Sequence, residues 1–139
     1  TRKPIVLVLT GRWEPYGKDL AVYMTGGEAN IPWEDWVDGI AELPTVIAFG
    51  DVVWLQVIIH GEDGPSDIPE GADSIWWANE YVDPHVPVLV DDGTIQEVYF
   101  SGGLPAIFLF NENLEILSKG TGSNPYQALV DYKAYYGAQ

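Results

Sequence analysis

Two unbroken apolar runs constrain this chain most: Ile5-Val6-Leu7-Val8-Leu9 and Val52-Val53-Trp54-Leu55-Gln56-Val57-Ile58-Ile59. Both are short and rich in β-branched residues. Neither alternates with polar residues, so each reads as a strand buried on both faces. Thr10-Gly11 ends the first, and the turn cluster Gly61-Glu62-Asp63-Gly64-Pro65 ends the second. The stretch between them carries helical patterning. Lys18 to Met24 is expected to form a helix stopped by Gly26-Gly27. Trp33 to Leu43 is expected to form another, with Trp33, Trp36, Val37 and Ile40 on one stripe, Pro32 as start signal and Pro44 as stop. Two doubly buried strands joined through helices make a parallel βαβ unit, so the fold class is α/β.

The remainder extends this unit. Asp73 to Tyr81 is a candidate helix, with Ile75, Trp76 and Ala78 as packing residues. Val86 to Val90 is a short extended piece, followed by an Asp91-Asp92-Gly93 turn. Ala106 to Phe110 is an apolar strand, Asn111-Glu112-Asn113 a turn, and Leu114 to Ser118 a return strand, which together spell a β-hairpin. A last helix is expected to open at Asn124 as N-cap with Pro125 in its first position and to run to about Tyr136. The simplest sheet then has the first strand in the centre, flanked by the second strand and by the hairpin.

Composition removes several function classes. The 139 residues suit one domain, taken as 1–139, with no linker, repeat or low-complexity tract to divide it. With no cysteine, the chain has no thiol catalysis, no disulfide and no thiolate metal site. The redox compartment is therefore not legible. Asp and Glu number 21 against six Lys and Arg, a formal charge of −15, which argues against nucleic acid and anionic lipid as partners. No apolar run approaches the ~18 residues of a membrane span, so no membrane insertion is expected. A surface this acidic suits a salty exterior medium, and a chain that starts at Thr1 without Met is what removal of a signal, or trimming, would leave. A periplasmic or extracellular location is the expectation. Nothing in the sequence specifies an oligomeric state.

Five segments in this order resemble the thioredoxin-like superfamily, nearest to the exported redoxins: the cytochrome-maturation type of thiol–disulfide oxidoreductase and related peroxiredoxin-type domains. Ile5 to Leu9 leads into Trp13-Glu14-Pro15-Tyr16-Gly17-Lys18, where the family has Trp-Cys-x-x-Cys-Lys. Val86-Pro87-Val88-Leu89-Val90-Asp91 is similar to its Pro-Val-Leu-x-Asp segment. Gly103-Leu104-Pro105 with Ala106 to Phe110 is similar to its cis-proline loop and following strand. Asn111-Glu112-Asn113 resembles its hairpin turn, and Gly120 and Gly122 its glycines before the last helix. The resemblance implies a thioredoxin-like fold: a central mixed sheet of about four strands with helices on both faces. It also implies a groove for an extended peptide or partner protein at Trp13, Glu14, Pro15, Tyr16, Leu104 and Pro105. Glu14 and Gly17 stand at the two thiol positions, so family dithiol exchange has no reagent here, and no catalytic residue is assigned.

Other candidates are weaker. Glu14, near a helix N-terminus, is suited to that end by its charge and offers a general acid, a base or a polar peptide contact. His60 and His85 have no second histidine at ligand spacing, so no metal and no cofactor is expected. The acidic loops around Glu62, Asp63, Asp67 and Glu70, and at Asp91-Asp92, miss the calcium-loop pattern and read as solvated. Trp33, Trp36, Trp76 and Trp77 offer a sugar platform but fit core packing better, and of adjacent Trp76 and Trp77 at most one faces the core. Ser66, Ser74, Ser101, Ser118 and Ser123 lack a nucleophile-elbow context. Two functional expectations follow: a redox-inactive binding or scaffold domain, or a cysteine-substituted variant of a working redoxin.

Overall fold

The first apolar run forms β1 (Ile5–Gly11) and the second β2 (Val53–His60), paired in parallel with Val6 opposite Trp54 and Val8 opposite Gln56. A short β3 (Val88–Val90) joins β2 in parallel, with Val88 opposite Gln56. On the other side of β1 lies the antiparallel pair β4 (Ala106–Phe110) and β5 (Ile116–Gly120). The sheet order is β3-β2-β1-β4-β5. The computed structural model describes residues 2–29, 42–81, 86–95, 103–121 and 124–137.

Strand alternation divides the core. Val6 and Val8 share a face with Trp54, Ile107 and Leu109. That face is covered by α1 (Pro15–Met24), α2 (Leu43–Ala48) and α4 (Gln127–Tyr136), through Leu20, Met24, Leu43, Leu129 and Tyr132. Beside β3 it is covered by α3 (Gly71–Tyr81), whose Trp77 packs on Ile58 and Ala21. Gln56 is the polar intruder on this face, and its amide oxygen accepts a 2.7 Å hydrogen bond from the buried Trp77 indole. Leu9, Val57, Ile59, Ala106 and Phe108 face the other way and pack with Ile95 and Leu104. Thr94 and Ile95 begin a helical turn there. Asp91 and Asp92 anchor this turn by accepting from the Ile95 and Thr94 amides, so those two acids hold a helix start rather than a solvated loop.

Several expected boundaries move. The sheet has five strands, not about four, because the extended piece at Val88–Val90 completes the β2 edge. The return strand starts at Ile116 rather than Leu114. The Asn111 side chain accepts from the Asn113 and Glu115 amides, which lengthens the turn, and Leu114 sits at φ 66. The last helix starts at Gln127 with Tyr126 as N-cap, and the Asn124 amide bonds the Gln127 side chain instead of capping. Pro44 stands in the first turn of α2, where a missing N–H costs nothing, so it opens a helix rather than stopping one. The helix expected from Trp33 lies mostly outside the described residues, as do Trp36, His85, Ser101, Gly122 and Ser123.

Candidate functional site

The motif region occupies the turn from β1 into α1, at the C-terminal end of the parallel strands. The chain leaves β1 with the Arg12 amide donating to the His60 carbonyl and the Glu14 amide to that of Gly11. Pro15 then takes the first helical position, where its fixed φ suits the helix.

Glu14 is itself the N-cap. Its backbone is extended, and its side chain folds back to accept from the Tyr16 and Gly17 amides, both at 2.6 Å. The usual caps are the shorter Ser, Thr, Asp and Asn, so a glutamate needs extra room for its longer stem. Gly17 supplies it. A Cβ at position 17 would collide with the Thr10 hydroxyl and lie 2.7 Å from the Glu14 Oε2. Thr10 completes the unit, its hydroxyl 3.5 Å from the same oxygen. Glu14 is 2% exposed, and burial pushes its carboxyl above the ordinary value of 4.5. The Gly17 and Tyr16 amides, the Thr10 hydroxyl and the Lys18 charge pull the other way without overcoming burial. With both oxygens bound to the helix start, this carboxylate serves as a structural cap.

The neighbouring side chains are held with similar care. The Trp13 ring stacks on His60, with centroids 6.0 Å apart and planes at 15°, and its indole donates to the His60 Nδ1 at 3.3 Å. Burial lowers the pKa of His60, which favours the neutral ring that can accept at Nδ1. Arg12 reaches over the Trp76 ring, 4.0 Å from its centroid, to bond Asp73 at 2.8 Å, with Glu62 at 3.7 Å. Asp73 also caps the start of α3 by accepting from the Glu70 amide at 2.8 Å. Burial raises the Asp73 carboxyl, but the Glu70 amide and the Arg12 guanidinium outweigh it and hold the group below 3.8.

Leu9 pairs with Ala106, so Pro105 comes level with Thr10 and the loop before β4 reaches this same end of the sheet. The Leu104–Pro105 peptide bond is cis. Of the expected groove residues, Trp13 (41% exposed), Pro15 and Tyr16 (47% exposed) face solvent, Leu104 is half-buried, and Glu14 and Pro105 are buried. The sequence alone does not mark Thr10, His60, Arg12 and Asp73 as partners in this site. The parallel register, which sets Gly11 opposite His60, is the signal that places His60 beside the motif. Among the described residues, no three His, Cys, Asp or Glu side chains gather into a metal-binding group. In the acidic loop after β2, Asp67 instead accepts from the Asp63 amide and braces the turn. Trp77 is core, whereas Trp76 is half-buried beneath Arg12.

The mixed sheet, the cis-proline loop and the Trp13–Gly17 helix start define a thioredoxin-like fold in a chain without cysteine. A scan against protein-family models finds no match, and neither does a search of the curated proteins. Solved structures do match. A thioredoxin-like protein from Aeropyrum pernix aligns over 96% of this chain and 78% of its own, with TM-score 0.66 and 12% identity. A putative thiol:disulfide interchange protein DsbE from Chlorobium tepidum aligns over 99% and 82%, with TM-score 0.63 and 16% identity. A secreted Mycobacterium tuberculosis disulfide oxidoreductase homologous to E. coli DsbE aligns over 96% and 81%, with TM-score 0.59 and 15% identity. Among the described residues, no helix is long and apolar enough to cross a membrane.

Proposed function

We propose that this chain is a redox-inactive thioredoxin-fold domain of an exported protein. It binds an extended peptide or a partner protein across Trp13, Pro15 and Tyr16, beside Leu104 and Pro105. The observation that carries the reading is the filling of both thiol positions by a matched pair. The Glu14 carboxylate caps α1 in space that only Gly17 leaves open. That mutual fit speaks against the second reading, a working redoxin with its cysteines merely replaced. Export is supported by the secreted oxidoreductase among the structural neighbours and by a charge of −15 that suits a salty exterior. Interfaces are enriched in tryptophan and tyrosine, which fits Trp13 and Tyr16 as contacts.

Two measurements test this together. A thiol–disulfide exchange assay is expected to stay at blank, and turnover above blank overturns the reading. Panning a random peptide library against the chain is expected to enrich binders that Trp13→Ala with Tyr16→Ala releases. Failure to enrich any, or binders indifferent to both substitutions, removes the assigned surface.

A further inference from the structure

The six Lys and Arg residues of the chain are spread unevenly over the fold. Arg2, Lys3 and Lys133 gather at one cleft by the N-terminal end of β1, the far end of the sheet from the motif. Lys119 lies on the edge strand β5, over the Phe108 ring. Arg12 and Lys18 remain at the motif end. Arg12 is engaged by Asp73 and Glu62. Lys18 sits two residues past Tyr16, about 200° round α1, and approaches the Tyr81 ring of α3, 5.9 Å from its centroid. Asp19, three residues past Tyr16, comes back to within about 60° of it and shares its side of the helix. On the other strand, the loop after β2 leaves His60, the ring on which Trp13 stacks, and runs through exposed Glu62 and Asp63. Asp67 braces this loop by accepting from the Asp63 amide. Asp19 and Asp63 have no Lys or Arg within 4.0 Å among the described residues. The exposed aromatics are thus flanked by carboxylates, Asp19 beside Tyr16 and Glu62 with Asp63 beside Trp13.

Resting on the groove assigned above, we propose that its occupant is a basic, extended segment of a partner protein. An apolar side chain of that segment packs against Trp13, Tyr16 and Leu104, and Lys or Arg side chains on either side of it reach Asp19 and the Glu62–Asp63 loop. Tryptophan and tyrosine rings attract a cation as well as an apolar chain, so the aromatic floor and the acidic rim select the same partner. An acidic segment would meet like charge on both flanks, and a neutral one would leave the rim uncompensated. The rim carboxylates stay in water, where complementary charge sets partner choice and encounter rate more than affinity. At the far end, Arg2, Lys3 and Lys133 face Glu42, Asp51 and Glu112, so that cleft is near neutral and holds no such attraction for a basic segment.

A random peptide library panned against the whole chain, with Trp13→Ala plus Tyr16→Ala as counter-selection, is expected to enrich peptides that carry Lys and Arg around an apolar residue. Their affinity is expected to fall as NaCl is raised. Glu62→Gln with Asp63→Asn is expected to weaken them about tenfold, at roughly threefold per exposed charge, with the melting temperature unchanged. Glu42→Gln with Asp51→Asn removes the same net charge at the far end and is expected to leave them within about twofold, since salt screens charges at that distance. If the first pair lowers the melting temperature, Asp19→Asn alone is read, with a loss of roughly threefold expected on the same scale. Groove-dependent peptides that are neutral or acidic overturn the proposal and leave the groove standing. Equal weakening by the two pairs does the same, because net charge alone would then be the attraction. No groove-dependent peptide at all removes the groove and the proposal together.

Discussion

α1 and α3 both start under a buried carboxylate at the same end of the sheet, yet the two carboxylates are displaced in opposite directions. Glu14 accepts from the Tyr16 and Gly17 amides, and Asp73 from the Glu70 amide. Both lie out of water, Glu14 at 2% exposure and Asp73 at 9%. Only Asp73 also holds a guanidinium, that of Arg12. Burial therefore wins at Glu14, whose carboxyl rises above 4.5, and loses at Asp73, whose carboxyl falls below 3.8. Glu14 is the more deeply buried, and two amides, the Thr10 hydroxyl and the Lys18 charge do not offset that burial, whereas at Asp73 one amide and a guanidinium in direct contact do. The motif thus keeps its shape by capping and close packing, the α3 start by charge.

The largest effect is expected at Gly17. Gly→Ala inside a helix ordinarily stabilises by about 1 kcal/mol. Here the new Cβ meets the Thr10 hydroxyl and the Glu14 carboxylate, so the sign reverses. Gly17→Ala is expected to cost roughly 2 kcal/mol, the scale of an overpacked interior site, read from urea midpoints at constant slope. In a Glu14→Ala background the same substitution is expected to cost less by about 1 kcal/mol, since the pair shares one space. Additive costs would mean that Glu14 and Gly17 are not a matched pair.

Next in size is the removal of the cation. Arg12→Met keeps an apolar stem over Trp76 but leaves Asp73 with the Glu70 amide and, like Glu14, without a guanidinium in contact. A cost of about 1.5 kcal/mol at neutral pH is expected, the scale of a lost charge-assisted hydrogen bond. The contribution of Asp73 to stability depends on pH. A depressed acid contributes fully above its unfolded value of 3.8 and loses that contribution as pH falls through the folded value. In Arg12→Met that acid loss is expected to shift to higher pH, with the Asp73 titration followed by carboxyl NMR. An unmoved Asp73 titration would show that the guanidinium is not what separates the two carboxylates.

Much of this architecture is legible in the sequence because it rests on local patterning. The apolar runs at Ile5 and Val52 and the hairpin at Ala106 fix the central strands, since a continuous β-branched run has few other homes. The motif at Trp13–Gly17 and the Leu104–Pro105 loop are placed by their order along those strands. What the sequence hides is long-range. Arg12 and Asp73 lie 61 residues apart, and Trp13 and His60 lie 47 apart. Trp13 meets His60 because β1 and β2 run side by side in register, and Arg12 meets Asp73 because α3 packs against α1 and β2. β3 is legible only as a short extended piece at Val86 to Val90: three residues carry no period, and only pairing with β2 makes them a strand of the sheet. Position 17 illustrates both sides. A glycine there reads as a missing thiol, and only the folded-back carboxylate shows that any side chain would collide.

The smallest effect is expected at Glu14. A carboxyl raised in the folded state binds its proton more tightly there than in the unfolded chain. Glu14 therefore contributes its full share below the unfolded value of 4.5 and loses it as pH rises through the folded value. Glu14→Gln removes that proton while keeping one acceptor for the helix start. The stability difference, wild type minus variant, is expected to fall as pH is raised from 4.5 towards neutrality, with a slope bounded at about 1.4 kcal/mol per pH unit for one proton. Taking the difference cancels the other acids, which titrate alike in both chains, so urea midpoints at several pH values isolate one residue. A difference that rises with pH would place Glu14 with Asp73, as an acid held down by its hydrogen bonds, and would erase the contrast between the two helix starts.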